Sequence, residues 1–325
     1  MKDLAALVQA GDRASIARAL NLTEDRRPEG RHAVSELLAT LRSSGALDRG
    51  HRVGITGPPG VGKSTLLAAL TRTLRSRAKP ITVGVLAVDP SSIRSGGALL
   101  GDRTRIAPDP ADSGLFVRSL STAGELGGLA RSVPPAVLVL GAAFDMAMVE
   151  TVGVGQTETD VRHVVDTVVF VVQPGSGDAL QFLKAGIMEV PDVLVINKAD
   201  QVELAGRAES ELRAALHALT AAGVVQTSKH MTQAPRTPIV LTSARDGTGI
   251  DALLDAIAAH KSQLDGAGEL ATHRRAGMVA WGVRTFLRRH GEAGVERVGG
   301  ERALATAIAA GLERGEEIPE LVERL

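Results

Sequence analysis

The sequence contains no cysteine and no tyrosine among its 325 residues. The absence of cysteine excludes disulfide bonds, thiolate metal sites and cysteine nucleophiles. With only 5 phenylalanines and 1 tryptophan, the core must be built mainly from Ala, Val, Leu and Ile. The chain also lacks an excess of positive or negative charge, since 37 Lys+Arg balance 37 Asp+Glu. That balance argues against a protein that coats nucleic acid or an acidic membrane, because both need a basic excess.

Long hydrophobic runs are also missing. The longest, such as Pro135–Ala143 and Thr167–Val172, are far shorter than the roughly 20 apolar residues of a membrane span. The first residues lack the uninterrupted apolar stretch that follows a basic region in a secretory signal. The sequence therefore predicts a soluble cytoplasmic protein.

Apolar residues divide the chain into three regions. Residues 1–50 show helical periodicity, with Asp12 and Ser35 as candidate helix starts. After them, short apolar runs alternate with helical stretches, which is typical of an α/β fold with a mainly parallel sheet covered on both faces. The predicted strands are Arg52–Thr56, Ile81–Asp89, Leu115–Arg118, Met146–Thr151, Val168–Gln173, Val193–Asn197 and Pro238–Thr242, and helices are predicted to begin near Gly62, Thr159, Ala179, Gln201 and Gly249.

The strand pattern ends near Leu264. Glu269–Arg289 and Glu301–Leu312 have helical periodicity, and Glu313–Leu325 is interpreted as a charged tail. We therefore expect an N-terminal helical extension at 1–50, an α/β domain at 51–264 and a C-terminal helical arm at 265–325.

The strongest motif follows the first predicted strand. It matches G-x-x-x-x-G-K-[ST] of the phosphate loop and reads Gly57-Pro58-Pro59-Gly60-Val61-Gly62-Lys63-Ser64-Thr65. Glycines let backbone N–H groups surround a phosphate, and the following helix N-terminus favours the negative charge. Lys63 can reach the β- and γ-phosphates, and the Ser64 hydroxyl can bind Mg²⁺. The motif predicts a P-loop NTPase.

A second motif selects the base. Asn197-Lys198-Ala199-Asp200 follows the apolar strand that ends at Ile196. The Asp200 carboxylate can accept guanine N1–H and the 2-amino group, and the Asn197 amide can face the O6/N7 edge. Backbone N–H groups near Ser243-Ala244-Arg245 can contact guanine O6. Adenine would leave the carboxylate unpaired, so the sequence favours GTP over ATP.

Acidic residues at strand ends are the candidates for metal binding and hydrolysis. Asp89 and Glu150 each end a predicted strand, and Asp102 lies in a glycine-rich segment. Carboxylates in these places can hold the metal's water shell or orient the attacking water. Gly153, shortly after Glu150, is placed to sense a γ-phosphate through its N–H group.

Several further runs resemble the MeaB/ArgK-type GTPases, which are chaperones associated with methylmalonyl-CoA mutase. The resemblance extends from about residue 30 to the end and is closest between residues 52 and 200. It rests on Val149-Glu150-Thr151-Val152-Gly153-Val154-Gly155-Gln156-Thr157-Glu158, Val88-Asp89-Pro90-Ser91-Ser92, Ser95-Gly96-Gly97, Leu100-Gly101-Asp102-Arg103-Thr104-Arg105, Leu126-Gly127-Gly128 and Gly186-Ile187-Met188-Glu189.

The resemblance implies a homodimeric GTPase of the signal-recognition/MinD-like branch, joined through C-terminal helical arms. Such proteins gate the loading of adenosylcobalamin into an acyl-CoA mutase and protect that enzyme. By the same resemblance, Lys63, Asp89 and Glu150 would serve hydrolysis, with Ser64 and Asp102 near Mg²⁺.

One segment departs from the family. Where members usually read G-D-E-L-Q-G, this chain has Gly177-Asp178-Ala179-Leu180-Gln181-Phe182. In the family this segment responds to the partner mutase. The change therefore predicts a variant partner, such as another cobalamin-dependent acyl-CoA mutase.

Three other classes of protein remain as alternatives. Metal-insertion GTPases of hydrogenase or urease maturation carry cysteine pairs or His-rich tracts, whereas His260, His273 and His290 have no ligand spacing. Signal-recognition GTPases use Met-rich helices, and this chain has 6 methionines. In a small-molecule kinase, Lys63 and Asp89 would serve transfer to a metabolite, although the guanine motif counts against this.

Dimerisation is predicted from one apolar stripe together with the family resemblance. Val279, Val283, Phe286 and Leu287 form an apolar stripe at helical spacing, with Trp281 on the adjoining face. Packing within the chain and a subunit contact explain the stripe equally well, and only the resemblance favours the contact.

Overall fold

The computed structural model describes residues 1–89, 111–121, 129–151, 160–175, 191–221 and 237–325. Its α-helices are α1 (Lys2–Gln9), α2 (Arg13–Glu24), α3 (Pro28–Ser43), α4 (Lys63–Ser76), α5 (Val133–Ala143), α6 (Val202–Ala221), α7 (Ile250–Gly266), α8 (Leu270–Arg297), α9 (Glu301–Glu313) and α10 (Ile318–Arg324). Its strands are β1 (His51–Thr56), β2 (Val83–Asp89), β3 (Leu115–Ser121), β4 (Met146–Glu150), β5 (Thr167–Val172), β6 (Val193–Ile196) and β7 (Ile239–Leu241).

The strands form one parallel sheet in the order β3-β2-β4-β1-β5-β6-β7. All seven predicted strands are confirmed, and so is the prediction of a parallel sheet covered by helices. In β5, Val169 and Val171 pack with α4 and α7, while Phe170 and Val172 pack with α6. Alternate side chains are thus buried on opposite faces, as expected for a sheet with both faces covered.

The N-terminal and C-terminal helices share one apolar cluster with α5. Leu38 of α3, Val137 of α5, Ile308 of α9 and Leu321 of α10 are all fully buried in it. The cluster covers the face of the sheet formed by residues such as Leu86 and Val149. The segments 1–50 and 265–325 therefore pack together on the same side of the α/β region.

Two helix starts in the N-terminal region were predicted, and one is correct. Asp12 caps α2, where its Oδ2 accepts a hydrogen bond from the N–H of Ser15 at 2.8 Å. Ser35 was wrong as a helix start, since it lies inside α3 and is buried. The fixed φ of Pro28 suits the first turn, and α3 begins there.

Helix α5 was not predicted from the sequence. Every residue from Val133 to Ala142 is buried, so the segment lacks the alternation between polar and apolar residues that marks an amphipathic helix. Its two prolines occupy the first turn, where a missing N–H costs no hydrogen bond.

The C-terminal end differs from the prediction of a charged tail. Residues Ile318, Leu321 and Val322 of α10 are buried against α3 and α8. Helix α8 also continues past Arg289 to Arg297, with a non-helical residue at Gly291 (φ 64°).

Helices near Gly62, Gln201 and Gly249 are confirmed. Thr159 and Ala179 lie outside the described residues, and a 3₁₀ turn covers Val161–His163. Within the described ranges, none of the helices has both the length and the apolar character that crossing a bilayer requires.

Candidate nucleotide-binding site

The predicted site residues that the structure describes gather at the carboxyl ends of the parallel strands. The phosphate loop follows β1, Glu150 ends β4, and Asn197 follows β6. In α/β sheets of this kind, ligands bind outside the carboxyl ends of the strands. The arrangement is the one expected for a nucleotide site.

Glycines fix the path of the phosphate loop. Gly57 has a φ of 141°, and a Cβ there would collide with the carbonyl oxygen of Val171 in β5. Gly62 has a φ of 92° and begins α4 without a side-chain cap. The first N–H groups of α4 are therefore left for an anion at its N-terminus. Pro59, Gly60 and Thr65 are exposed, whereas Pro58 and Val61 are buried.

Lys63 lies inside the loop. Its side chain is buried, and its Nζ donates hydrogen bonds to the carbonyl oxygens of Gly57 at 2.8 Å and Pro58 at 3.0 Å. A buried ammonium needs such acceptors to replace water. The loop thus holds this cation at the position from which it can meet phosphate oxygens.

Ser64 and Glu150 meet directly. The Ser64 hydroxyl donates to Glu150 Oε1 at 2.7 Å, and both residues are buried. Glu150 stands opposite Ile55 of β1 in the ladder, so the strand pairing carries it to the start of α4. Oxygen ligands from a hydroxyl and a carboxylate are those that Mg²⁺ prefers. The residues present therefore fit a magnesium ion.

The other predicted metal and γ-phosphate contacts lie outside the described residues. Asp102 and Gly153 fall in undescribed ranges. The backbone of Asp89 ends β2, beside the strand that carries Glu150, while its side chain is outside the described part. These three assignments remain predictions.

Asn197 connects two loops, a role that the sequence did not indicate. Its Nδ2 donates to the carbonyl oxygen of Val61 at 2.9 Å, and its Oδ1 accepts from Thr242 Oγ1 at 3.2 Å and Ala244 N at 3.3 Å. The side chain is buried, so it fastens the phosphate loop to the loop after β7. The contact with guanine remains a prediction.

The loop after β7 keeps its predicted amides within the protein. The N–H of Ser243 donates to the Thr248 carbonyl at 2.9 Å, and that of Ala244 donates to Asn197. Asp200 and Arg245 are exposed at this end of the sheet. Contacts of all these residues with guanine remain predictions.

Lys198 was predicted only as part of a motif, and the structure gives it definite contacts. Its Nζ donates to the Gly60 carbonyl at 2.8 Å and to Gln173 Oε1 at 2.5 Å. Among the described residues it is the one non-glycine with a positive φ, 62°. Such a conformation is uncommon and needs support from its surroundings. No sequence signal pointed to Gln173.

The sequence matches one protein family, described as methylmalonyl Co-A mutase-associated GTPase MeaB, over residues 16–290. A probable GTPase of Mycobacterium tuberculosis is 42% identical over 279 residues, covering 86% of this chain and 80% of that protein. GTPase ArgK of Escherichia coli is 36% identical over 275 residues, covering 84% of this chain and 80% of that protein.

Two further similarities agree with this match. The mitochondrial methylmalonic aciduria type A homolog of Mus musculus is 36% identical over 282 residues, covering 83% of this chain and 65% of that protein. The crystal structure of a LAO/AO transport system kinase superposes with a TM-score of 0.62 at 26% identity, covering 96% of this chain and 97% of that one. These similarities confirm the resemblance found in the sequence motifs.

Proposed function

Because the chain belongs to the MeaB family of methylmalonyl-CoA mutase-associated GTPases, we propose that it gates a cobalamin-dependent acyl-CoA mutase through a cycle of GTP binding and hydrolysis. In this proposal it controls the loading of adenosylcobalamin into the mutase and protects that enzyme. The partner is methylmalonyl-CoA mutase or a close relative. The proposal places this activity in the cytoplasm.

One observation carries the GTPase part of the proposal. The hydrogen bond between Ser64 and Glu150 joins the start of the phosphate-loop helix to the end of β4. This puts a hydroxyl, a carboxylate and the Lys63 ammonium around the first turn of one helix, which is the set of groups that phosphoryl transfer needs. The site can then bind the phosphates and act on them.

Each residue has a proposed part in hydrolysis. Lys63 would exchange its carbonyl partners for β- and γ-phosphate oxygens, and the phosphate-loop N–H groups would surround the β-phosphate. Ser64, Glu150, Asp89 and Asp102 would hold Mg²⁺, which supplies stabilisation of charge on the phosphate oxygens. Glu150 and Asp89 would also orient the attacking water, and Gly153 would contact the γ-phosphate.

Base selection is proposed for Asp200, and calorimetry with GTP and ATP in the presence of Mg²⁺ tests it. Guanine would lose the charged acceptor of its N1–H and 2-amino groups, and a hydrogen bond to a charged group contributes about 1.5–3 kcal/mol, so we expect Asp200→Asn to reduce the preference for GTP by about tenfold. Total phosphate affinity should change less. Glu203→Gln removes an exposed carboxylate nearby and should leave the preference intact. An unchanged preference in folded Asp200→Asn would contradict the assignment.

The mutase part is tested by adding purified mutases to the GTPase assay. We expect turnover to rise with a cobalamin-dependent acyl-CoA mutase and to stay at background for Lys63→Ala. The departure at Ala179 and Phe182 predicts stronger stimulation by a relative of methylmalonyl-CoA mutase than by that enzyme itself. Full stimulation by methylmalonyl-CoA mutase would end the idea of a variant partner. Failure of every such mutase to stimulate would end the proposed partnership.

A homodimer is proposed through the outward side of α8 and α9. These helices border a groove of about 570 Å³ lined by residues that include Val279, Val283 and Ala305. Phe286 and Trp281 are buried within the chain, so the contact would depend on Val279, Val283 and the exposed Leu287. A second copy of the chain is the proposed occupant of the groove.

A further inference from the structure

One side of helix α8 carries a row of residues that faces the segment 160–166. His273, Gly277, Arg284 and Arg288 are spaced by four, seven and four positions, so they share one face of the helix, and Arg274 lies beside them. The segment 160–166 leads from the residues after Glu150 into β5. The row therefore lies against the chain that returns from the nucleotide site.

The first half of this row is in close contact with the end of the segment 160–166. His273 Nε2 lies 2.9 Å from the carbonyl oxygen of Val165. Arg274 donates two hydrogen bonds to Asp166, from Nε to Oδ1 at 2.8 Å and from Nη2 to Oδ2 at 2.7 Å. Burial raises the pKa of Asp166, but the hydrogen bonds from Arg274, the charges of Arg52 and Arg274 and the N–H of Arg52 together lower it below its usual value. A Cβ on Gly277 would collide with the carbonyl oxygen of His163, so the helix approaches the segment as closely as a backbone can.

The second half of the row meets a buried carboxylate. Asp160 forms an ion pair with Arg284, and its Oδ2 accepts a hydrogen bond from the N–H of Leu129 at 3.1 Å. Arg288 Nη1 donates to the carbonyl oxygen of Leu129 at 2.8 Å. Asp160 and Leu129 are both buried. The Asp160 carboxylate thus connects helix α8 both to the start of the segment 160–166 and to Leu129.

Both parts follow strands whose carboxyl ends lie at the edge of the sheet that carries the predicted nucleotide site, because Leu129 comes after β3 and Asp160 comes after β4. Asp160 shortly follows Glu150 and Gly153, and Leu129 directly follows Leu126-Gly127-Gly128. In a buried network, each hydrogen bond fixes the direction of the next, and removing one member disturbs the others. A change at the nucleotide site that moves Asp160 or Leu129 would therefore also move Arg284 and Arg288.

We propose that Arg284 is a positioning residue for GTP hydrolysis, which acts through Asp160 on the segment 160–166 that leads into β5. By the same contact, the nucleotide bound at the phosphate loop sets the position of the C-terminal helices. This inference rests on the proposed GTPase function and adds the route by which its state reaches α8.

The chain carries its own reporter for this route. Trp281 is the single tryptophan, and it is 6% exposed. It lines a small cavity of about 20 Å³ together with Asp166, Arg274 and His163. The tryptophan emission of the whole protein therefore reports on the contact between α8 and the segment 160–166.

The experiment compares Trp281 emission of the full-length protein with Mg²⁺ and either GDP or a non-hydrolysable GTP analogue. We expect the two nucleotides to give different emission in the wild type. In Arg284→Gln the difference should disappear, and kcat should fall about tenfold, within the range of known couplings, while nucleotide Kd changes little. Arg284→Lys keeps the charge and should restore part of both effects.

Two further variants separate the proposed effect of Arg284 from misfolding and from indirect effects of the substitution. The pair Asp160→Asn with Arg284→Gln leaves no unpaired buried charge and should show the same losses as Arg284→Gln. Arg289→Ala removes an ion pair with Glu323 on an exposed part of α8 and should behave as wild type. A purely structural role for Arg284 would lower stability without changing kcat or the nucleotide-dependent emission.

The outcomes separate this inference from the proposed function. Wild-type emission that is identical with both nucleotides, when calorimetry shows that both bind, overturns the inference and leaves the GTPase proposal standing. Wild-type kcat and emission response in every Arg284 variant also overturn it. If calorimetry shows no binding of either nucleotide to folded protein, the proposed function fails and the inference fails with it.

Discussion

At the scale of single residues, the pair of Ser64 and Glu150 shows how a site is assembled from distant parts of the chain. The 2.7 Å hydrogen bond between them joins the loop after β1 to the end of β4, which are adjacent strands in the sheet. The carboxylate is held by this bond before any metal or nucleotide arrives. Such prior placement is what makes electrostatic catalysis effective.

Glu150→Gln tests the charge of that carboxylate separately from its place in the fold. The amide oxygen can still accept the hydrogen bond from Ser64, but it cannot serve as an anionic metal ligand or orient water as a carboxylate does. We expect kcat to fall by at least tenfold, while GTP affinity is mostly kept, as for a group that acts mainly in the transition state. Steady-state turnover and calorimetry measure the two quantities. Normal turnover in the folded variant would remove Glu150 from the mechanism.

Another residue-scale feature is a buried histidine at the amino end of β1, the end opposite the phosphate loop. His51 Nε2 lies 2.8 Å from Thr167 Oγ1, and that oxygen lies 2.9 Å from His260 Nδ1. The pKa of His51 is lowered to about 4, chiefly by burial; the charge of Asp166 opposes this shift, and the charges of Lys261, His260 and Arg274 add to it. The pKa of His260 is also lowered by burial. The folded protein therefore holds His51 in its neutral form.

This depressed pKa predicts a loss of stability on acidification. Between about pH 6.5 and pH 4 the unfolded chain binds a proton at His51 that the folded chain does not, so the free energy of unfolding decreases as the pH falls. From pH 7.5 to pH 5 the contribution of His51 is about 2 kcal/mol. Urea unfolding at both pH values measures it.

His51→Gln should lose this part of the pH dependence, because an amide does not titrate. His32→Gln is the matched control, since the His32 side chain is 73% exposed, and it should keep the wild-type dependence. Equal pH dependence in wild type and His51→Gln would show that His51 does not titrate as assigned.

At the scale of secondary structure elements, the C-terminal helix α10 stabilises the fold. Leu321 is fully buried, and its side chain packs so closely on α9 that a Cβ at Gly311 would collide with it. Helix α10 also contacts α3 and α8. The end of the chain is therefore part of the core, although its composition is rich in charge.

Leu321→Ala measures this contribution. Truncating a buried leucine costs about 2–5 kcal/mol, including the cavity left behind. Leu204→Ala, at a leucine of α6 that is 43% exposed, should cost less than about 1 kcal/mol. Urea unfolding of the two variants gives the comparison. Equal stability of both would mean that α10 does not pack as described.

At the scale of the whole molecule, the C-terminal helices have two sides with different roles. One side of α8 is hydrogen-bonded to the segment 160–166, and the side that carries Val279 and Val283 borders a groove that is also lined by His163 and Arg284. In our proposals, the first side links the helices to the nucleotide site and the second receives a second copy of the chain. A dimer formed there would join two such sites through their arms.

Light scattering at micromolar concentration tests the dimer. We expect a mass near twice the 33.7 kDa of one chain. Val283→Glu places a charge in the groove and should give a monomer, because burying an unpaired charge is costly. Val202→Glu, at a valine of α6 that is 76% exposed, should stay dimeric. A wild-type mass equal to one chain would refute the proposal.

The sequence by itself determined the features that depend on local spacing. The seven strands follow from short apolar runs, and the phosphate loop follows from glycines placed before Lys63 and Ser64. The family also follows from local motifs, and the match over residues 16–290 confirms it. Hydrophobic periodicity did not predict helices α5 and α10. Helix α5 is apolar on every side and α10 is short and charged, so neither sequence shows a distinct apolar face.

Only the tertiary structure decided which side chains meet. The partners of Glu150, Asn197, Asp160 and Arg284 lie far from them in the chain, and they are brought together by the order of strands and the packing of α8. The same packing buries Phe286 and Trp281 inside the chain. Local sequence patterns indicate which secondary structure a single segment favours. These contacts depend instead on the packing of several elements that are remote in sequence.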